Sequence, residues 1–393
     1  MTPVARGDAV ALLRELVRTD SRNPSLVAGA PGERAAARVL AESLRAWGAK
    51  PDIVDAAPGR PNVIARIAGS GGGRSLMLNG HLDVVGTDGM IHEPFSAVER
   101  NGLLYGRGSA DMKAGVAAMC AAAVRAADAG ALRGDVIIAA VADEEWSSIG
   151  TKALIASGVR ADAAIVTEPT RLAIMPAHRG FVWFSITVHG RAAHGSRYDL
   201  GVDAIRLAGL LLAELDALDA GPLAARTHPL LGRGSLHAST IEGGLGMSTY
   251  PDRCVLRVER RTLPGESPEE TLAQIAAACD RVRTRRPEFR ADVTLDLAQG
   301  PSDVAVDAPI VRALEAAIAA EGGAARIEGM TAWTDAALLN DAGIPAICYG
   351  PGDIGLAHAA EEFVPLDEVE QATGVLARLV GDWCGGGSGA WRA

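Results

Sequence analysis

The sequence predicts an α/β fold: a mostly parallel sheet flanked by helices, interrupted by an inserted α+β domain. Short runs of nearly unbroken apolar residues, Leu76-Met77-Leu78, Val136 to Val141 and Ala163 to Val166, alternate with helical stretches, as strands buried on both faces do. After Pro176 the texture changes, and Gly180 to Gly190 alternates apolar with polar residues, the pattern of a strand with one wet face. From Pro309 the helix and strand alternation resumes. Residues 1–178 and 293–393 therefore read as one domain, and 179–292 as the insert.

Taken in order, Asp8 to Val17 forms an amphipathic helix, Asn23-Pro24-Ser25 breaks it, and Gly32-Glu33-Arg34 opens a second helix that runs to Trp47-Gly48. Strands at Asn62–Ile67 and from Leu76 follow, then an alanine-rich helix from about Ala110 to Ala127 and a strand from Asp135 to Val141. A helix near Thr151–Ala156 and the strand Ala163–Val166 complete this half. The insert reads as strand (180–190), helix (201–218), strands near 235–241 and 254–259, helix (268–282) and strand (291–297), a small open sheet with helices on one face. Ala342 to Tyr349 continues the first domain, and Gly385 to Gly389 reads as a flexible tail.

Composition narrows the function. A chain of 393 residues with 48% apolar residues can bury a large core. Its net charge of −10 and 4% aromatics argue against a nucleic-acid partner, which requires a basic surface or a stacking platform. The dense basic run Arg281 to Arg286 ends a predicted helix and reads as a solvated face. No apolar run approaches the roughly 18 residues of a membrane span. The start of the chain leads directly into a charged helix, so the expected location is the cytoplasm. Five cysteines without a Cys-x-x-Cys spacing indicate neither a disulfide framework nor a thiolate metal site.

The chemistry gathers where strands of such sheets end. His81 and Asp83 follow the Leu76 strand, and Asp111 sits after the glycine-flanked Gly106-Arg107-Gly108. Asp143-Glu144-Glu145 and Thr167-Glu168-Pro169 follow two further strands, and His358 lies near the C-terminus. Each piece alone has an ordinary explanation: a surface His-x-Asp pair, a solvated Glu-Glu, an acidic residue at a helix start. In this order they match a two-metal hydrolytic site, which needs a bridging carboxylate, one imidazole and one carboxylate per metal, and a free base. His81, Asp111, Glu145, Glu168 and His358 supply the ligands and Glu144 remains as the base. Asp83 is placed to hold the second ring nitrogen of His81. Such donors suit two Zn²⁺ ions and also accept Co²⁺ or Mn²⁺.

The runs His81-Leu82-Asp83-Val84-Val85, Glu93-Pro94-Phe95 and Tyr105 to Lys113 resemble a known family. It is the acetylornithine deacetylase, succinyl-diaminopimelate desuccinylase, aminoacylase and glutamate carboxypeptidase family of dinuclear zinc hydrolases. Asp143-Glu144-Glu145, Thr167-Glu168-Pro169, Gly190 to His194, Arg261 to Gly265 and Tyr349 to Gly352 with His358 extend the resemblance over nearly the whole chain. It implies His81, Asp111 and Glu168 on one zinc and Asp111, Glu145 and His358 on the other, with Asp111 bridging, Glu144 as general base and Asp83 as orienting residue. It also implies that the insert forms a homodimer, and that His194 reaches the partner's site to stabilise an oxyanion. Arg261 of the Arg-x-x-Pro motif would clamp a substrate carboxylate. Gly86 stands where the family often has proline, which implies a looser loop. The expected activity is removal of the acyl group from an N-acyl amino acid by zinc-activated water. A dipeptidase or glutamate-carboxypeptidase-like exopeptidase is the alternative, and a non-catalytic binding protein would show a broken ligand set.

Overall fold

The computed structural model describes residues 4–130 and 132–385. Within them the chain divides into one unit of residues 4–176, 304–328 and 334–385, and another of residues 177–303 and 329–333.

In the first unit the large sheet runs in the order Pro51–Ala57, Arg60–Ile67, Val136–Val141, Leu76–His81, Ala163–Val166, Ala346–Cys348, Ile174–His178, the last strand leading the chain out of the unit. The four central strands are parallel, with His81 opposite Val141 and Asn79 opposite Val166. This register brings the C-terminal ends of successive strands to one edge. The margins are antiparallel: Arg60–Ile67 opposes both of its neighbours, and Ile174–His178 opposes Ala346–Cys348.

Helices pack on this sheet through their apolar stripes. Asp8 caps Ala9–Val17 by accepting the Ala11 amide at 2.8 Å, and Leu12, Leu13, Leu16 and Val17 are fully buried. The alanine-rich helix Ala114–Ala129 is buried along nearly its whole length, because small side chains let its backbone approach the sheet. At Gly115 a Cβ would stand 1.8 Å from the carbonyl oxygen of Thr167, so only glycine fits where this helix meets the strand end that carries Glu168. The C-terminal helix Leu366–Cys384 completes the core with Leu376, Leu379 and Val380. Gly385 follows it, and the rest of the expected tail lies outside the described residues.

The second unit is a four-stranded antiparallel sheet in the order Ser235–Gly243, Arg253–Thr262, Gly180–His189, Arg290–Gln299. Val182, Phe184, Ile186 and Val188 form its dry face, against Leu207 and Leu211 of the helix Ala204–Leu218 and Ile275 and Val282 of the helix Pro268–Arg285. Alternate residues of Gly180–His189 are half-exposed, as the period-two pattern requires. The strand Arg290–Gln299 stays paired with its neighbour up to Gln299 opposite Phe181, which carries this unit past Asp292. Among the described residues no helix is long and apolar enough to cross a membrane.

Candidate metal centre

The parallel strands of the first unit deliver His81, the Asp143-Glu144-Glu145 turn and Glu168 to one edge of the sheet. Asp111 enters from the loop that precedes the helix Ala114–Ala129, and its peptide bond to Met112 is cis. It lies between the two imidazoles: Oδ1 is 3.1 Å from His81 Nε2 and Oδ2 is 3.5 Å from His358 Nε2. His358 Nε2 also lies 2.9 Å from Glu145 Oε2, and His81 Nε2 lies 3.9 Å from Glu144 Oε2. Donor atoms of His81, Asp111 and Glu145 fall within 4.8 Å of one another, as do those of His81, Glu144 and Glu168. Both Glu144 and Glu145 therefore fall near His81, and Glu145 alone pairs with His358. Asp143 and His358, both in turns that carry this cluster, adopt the left-handed backbone region at φ 67° and 61°.

Asp83 holds the cluster by a route that differs from the expected one. His81 Nδ1 meets the backbone carbonyl of Asp83 at 2.9 Å, whereas the carboxylate stands 3.7 Å away. That carboxylate accepts the Glu144 amide at 3.1 Å, the Glu145 amide at 3.2 Å and the Asn23 side chain at 2.8 Å. A carboxylate two residues beyond the imidazole reaches across to the next strand's turn, so Asp83 orients Glu144 and Glu145 and the peptide chain orients His81. Behind it, Arg60 bonds both Glu33 and Asp143, the latter at 2.9 Å, closing a buried network.

Glu362, which the motifs did not mark, is fully buried beside the Asp111 loop. It accepts the amides of Ala110 and Asp111 on one oxygen at 3.0 and 3.1 Å, and that of Gly108 and the Arg107 guanidinium on the other at 3.0 and 2.7 Å. In sequence it is half of a Glu361-Glu362 pair, which reads as solvated surface. Its partners are mostly backbone amides about 250 residues away, and only the position just after His358 hints at a role.

Electrostatics shows a site short of positive charge. Burial, reinforced by neighbouring carboxylates, lifts Glu144 and Glu168 well above the ordinary carboxylate range. Burial likewise raises Asp83 to about 7 against the pull of His81. Burial opposes protonation of His81, yet Asp111, Glu144 and Glu168 together raise it well above the usual imidazole value. Bonds to Asp111 and Glu145 raise His358 to about 10. Asp111 is the exception: burial works against its charge, but the two imidazoles hold it well below the usual range. A buried imidazole, an exposed one and several converging, mostly buried carboxylates form a donor set that fits divalent metal ions.

His194 and Arg261 belong to the second unit. His194 is exposed, with Nδ1 held 2.8 Å from Ser196 Oγ, and no partner for its Nε2 is found among the described residues. Arg261 is half-buried, bonds Glu259 through Nε and lies 5.3 Å over the Phe181 ring. One edge of its guanidinium is therefore already engaged.

Comparison with known proteins agrees with this geometry. Residues 77–382 match the model of peptidase family M20/M25/M40. Acetylornithine deacetylase of Myxococcus xanthus is 32% identical over 340 residues, covering 84% of this chain and 86% of its own. The N-formyl-4-amino-5-aminomethyl-2-methylpyrimidine deformylase of Bacillus subtilis (strain 168) is 29% identical over 376 residues, covering 88% of each. The M20 family metallo-carboxypeptidase Sso-CP2 from Sulfolobus solfataricus shares the fold, with a TM-score of 0.80 at 17% identity over 95% of this chain and 98% of that one. The chain belongs to peptidase family M20/M25/M40 and is a metal-dependent hydrolase of amide bonds.

Proposed function

We propose that this hydrolase removes the acyl group from an N-acyl amino acid, with His81, Asp111, Glu145, Glu168 and His358 holding two Zn²⁺ ions. The observation that carries this reading is Asp111 lying between two imidazoles while Glu144, buried beside them, pairs with neither at bonding distance. When bound, two such cations supply Lewis acidity toward a carbonyl and acidify a water. Glu144, whose proton affinity is raised by burial, accepts the proton of the attacking water and passes it to the departing nitrogen. Asp83 fixes the backbone on which Glu144 stands. His194 is a candidate oxyanion donor, and Arg261 retains guanidinium edges for a substrate carboxylate.

The likeness to acetylornithine deacetylase supports an N-acyl substrate, and the carboxypeptidase fold neighbour keeps a peptide substrate as the alternative. Glu144→Ala is expected to lower turnover by about 10²–10⁴-fold with full metal content, tested on N-acyl amino acids and dipeptides in parallel. Loss of both metals, or retention of most activity, contradicts the assigned base. Preference for dipeptides moves the reading to an exopeptidase.

A homodimer through the second unit is part of the proposal. Ser235–Gly243 is an edge strand with most of its residues exposed, and Tyr198, Ile241, Leu245 and Met247 are exposed as well. An open strand edge with apolar neighbours suits pairing with a second copy. Sedimentation that returns a monomer at micromolar concentration rejects it.

A further inference from the structure

We infer that the buried Arg107–Glu362 pair clamps together three of the ligand-bearing segments, those of His81, Asp111 and His358, and thereby sets how tightly the cations are held. The inference rests on the reading of His81, Asp111 and His358 as ligands. Arg107 stands at the start of the Asp111 loop and reaches the other two segments, the one that follows Asp83 with Nε and the one that follows His358 with Nη1 and Nη2. Nη1 bonds Glu362 at 2.7 Å, Nε bonds the Gly86 carbonyl at 3.0 Å, and Nη2 bonds the Ala359 carbonyl at 3.3 Å. Gly86 closes the loop after His81 and Asp83, Ala359 adjoins His358, and Arg107 itself leads into Asp111. One guanidinium thus spans three segments that meet nowhere in the sequence.

Glu362 completes the clamp from the other side. It gathers the Gly108, Ala110 and Asp111 amides, so the backbone that aims the Asp111 carboxylate is fixed by the chain that carries His358. Both side chains are almost fully buried, at 3% and 1% exposure, which water cannot screen. The physical need is clear from the charges. Without cations the clustered carboxylates repel one another, and loops tied only to their own strands would spread. A rigid fork with several donors opposes that spreading and keeps the donors where cations require them. A lysine offers one point charge and could not hold three loops at once. The carbonyl of Gly86 also takes part, so this loop is anchored at its glycine.

The test is titration with Co²⁺, followed by calorimetry and by visible absorption of the bound ion. It compares wild type, Glu362→Gln and Arg107→Lys at a temperature where circular dichroism shows all three folded. Wild type must take up two Co²⁺ per chain, and fewer than two refutes the metal-site reading itself. Glu362→Gln turns an acceptor of four bonds into one with a donor end facing donors. It is expected to weaken Co²⁺ binding by about 10–100-fold and to shift the absorption bands. Arg107→Lys, which keeps the charge but loses the carbonyl bonds, is expected to fall between. If Glu362→Gln does not fold, Arg107→Lys decides alone. A purely structural pair would lower stability and leave the folded variants with wild-type affinity and spectrum, and that result overturns the inference.

Discussion

The two units bury charge differently. In the second, Arg260 and Glu266 are each almost fully buried and face one another, and the other Glu266 oxygen accepts the Leu263 amide at 2.7 Å. Each charge meets its opposite within the protein, although Arg260 Nε has no partner among the described residues. In the first unit some buried acids are equally well matched, Glu33 and Asp143 by Arg60 and Glu362 by Arg107. Asp83, Asp111, Glu144, Glu145, Glu168 and Asp335 remain, gathered around His81 and His358. Structural charge is balanced on the spot, whereas a buried surplus marks the place where something from outside must bind.

The contrast can be broken most severely by removing the cations. Chelation is expected to abolish activity and to destabilise the first unit by about 4 kcal/mol per cation, for free ions at about a thousand times their Kd. Hydrogen exchange should quicken around residues 76–83 and 106–113 and leave the strand Gly180–His189 as it was. Equal acceleration in both would show that the surplus has no special dependence on metal. The converse experiment is Arg260→Met, which leaves Glu266 only the exposed Arg226 at 3.8 Å and should cost up to about 3–5 kcal/mol in urea unfolding without changing metal stoichiometry. Adding Glu266→Gln should return part of that loss. If Arg260→Met altered metal uptake in folded protein, the second unit's charges could not be called merely structural.

Much of this was legible in the sequence because strand ends and glycines are local signals. His81, Asp111, Glu144, Glu145, Glu168 and His358 all follow apolar runs or sit in turns, and the structure gathers them at one sheet edge. The strands and helices of the second unit likewise follow their periodicity. What escaped depends on partners far along the chain. Pro51–Ala57 carries a proline and two aspartates, so it did not read as a strand; its pairing with Arg60–Ile67 supplies the order. Strand direction leaves no periodic trace, hence the antiparallel margins. Glu362 and Asp335 look like ordinary acids until distant groups surround them, and Thr151 bonds Asp335 from 184 residues away. The Asp83 carboxylate was read from its nearest neighbour in sequence, while its partners lie on another strand.

The smallest predicted effect concerns an exception within the second unit. His178 is buried with Nδ1 donating to the Arg179 carbonyl at 3.0 Å, while Nε2 has no partner among the described residues. Burial lowers its pKa to about 4, against 6.5 for a free imidazole. Between those values the unfolded chain binds a proton that the folded chain refuses, so stability rises with pH through this window. The contribution is fully present above pH about 6.5, declines as the solution is acidified, and levels off below about 4, for a total of at most about 3 kcal/mol. His178→Phe keeps a ring against Trp333, which His178 meets edge-on at 6.3 Å between centroids, and removes the titration. At neutral pH the variant should lose about 1 kcal/mol with its hydrogen bond. Between pH 6.5 and 4 its unfolding free energy should fall less steeply than that of wild type, so the two curves converge or cross. Parallel curves would mean that His178 takes up a proton in the folded state as readily as in the unfolded one, and the second unit would then contain no uncompensated titratable group at this position.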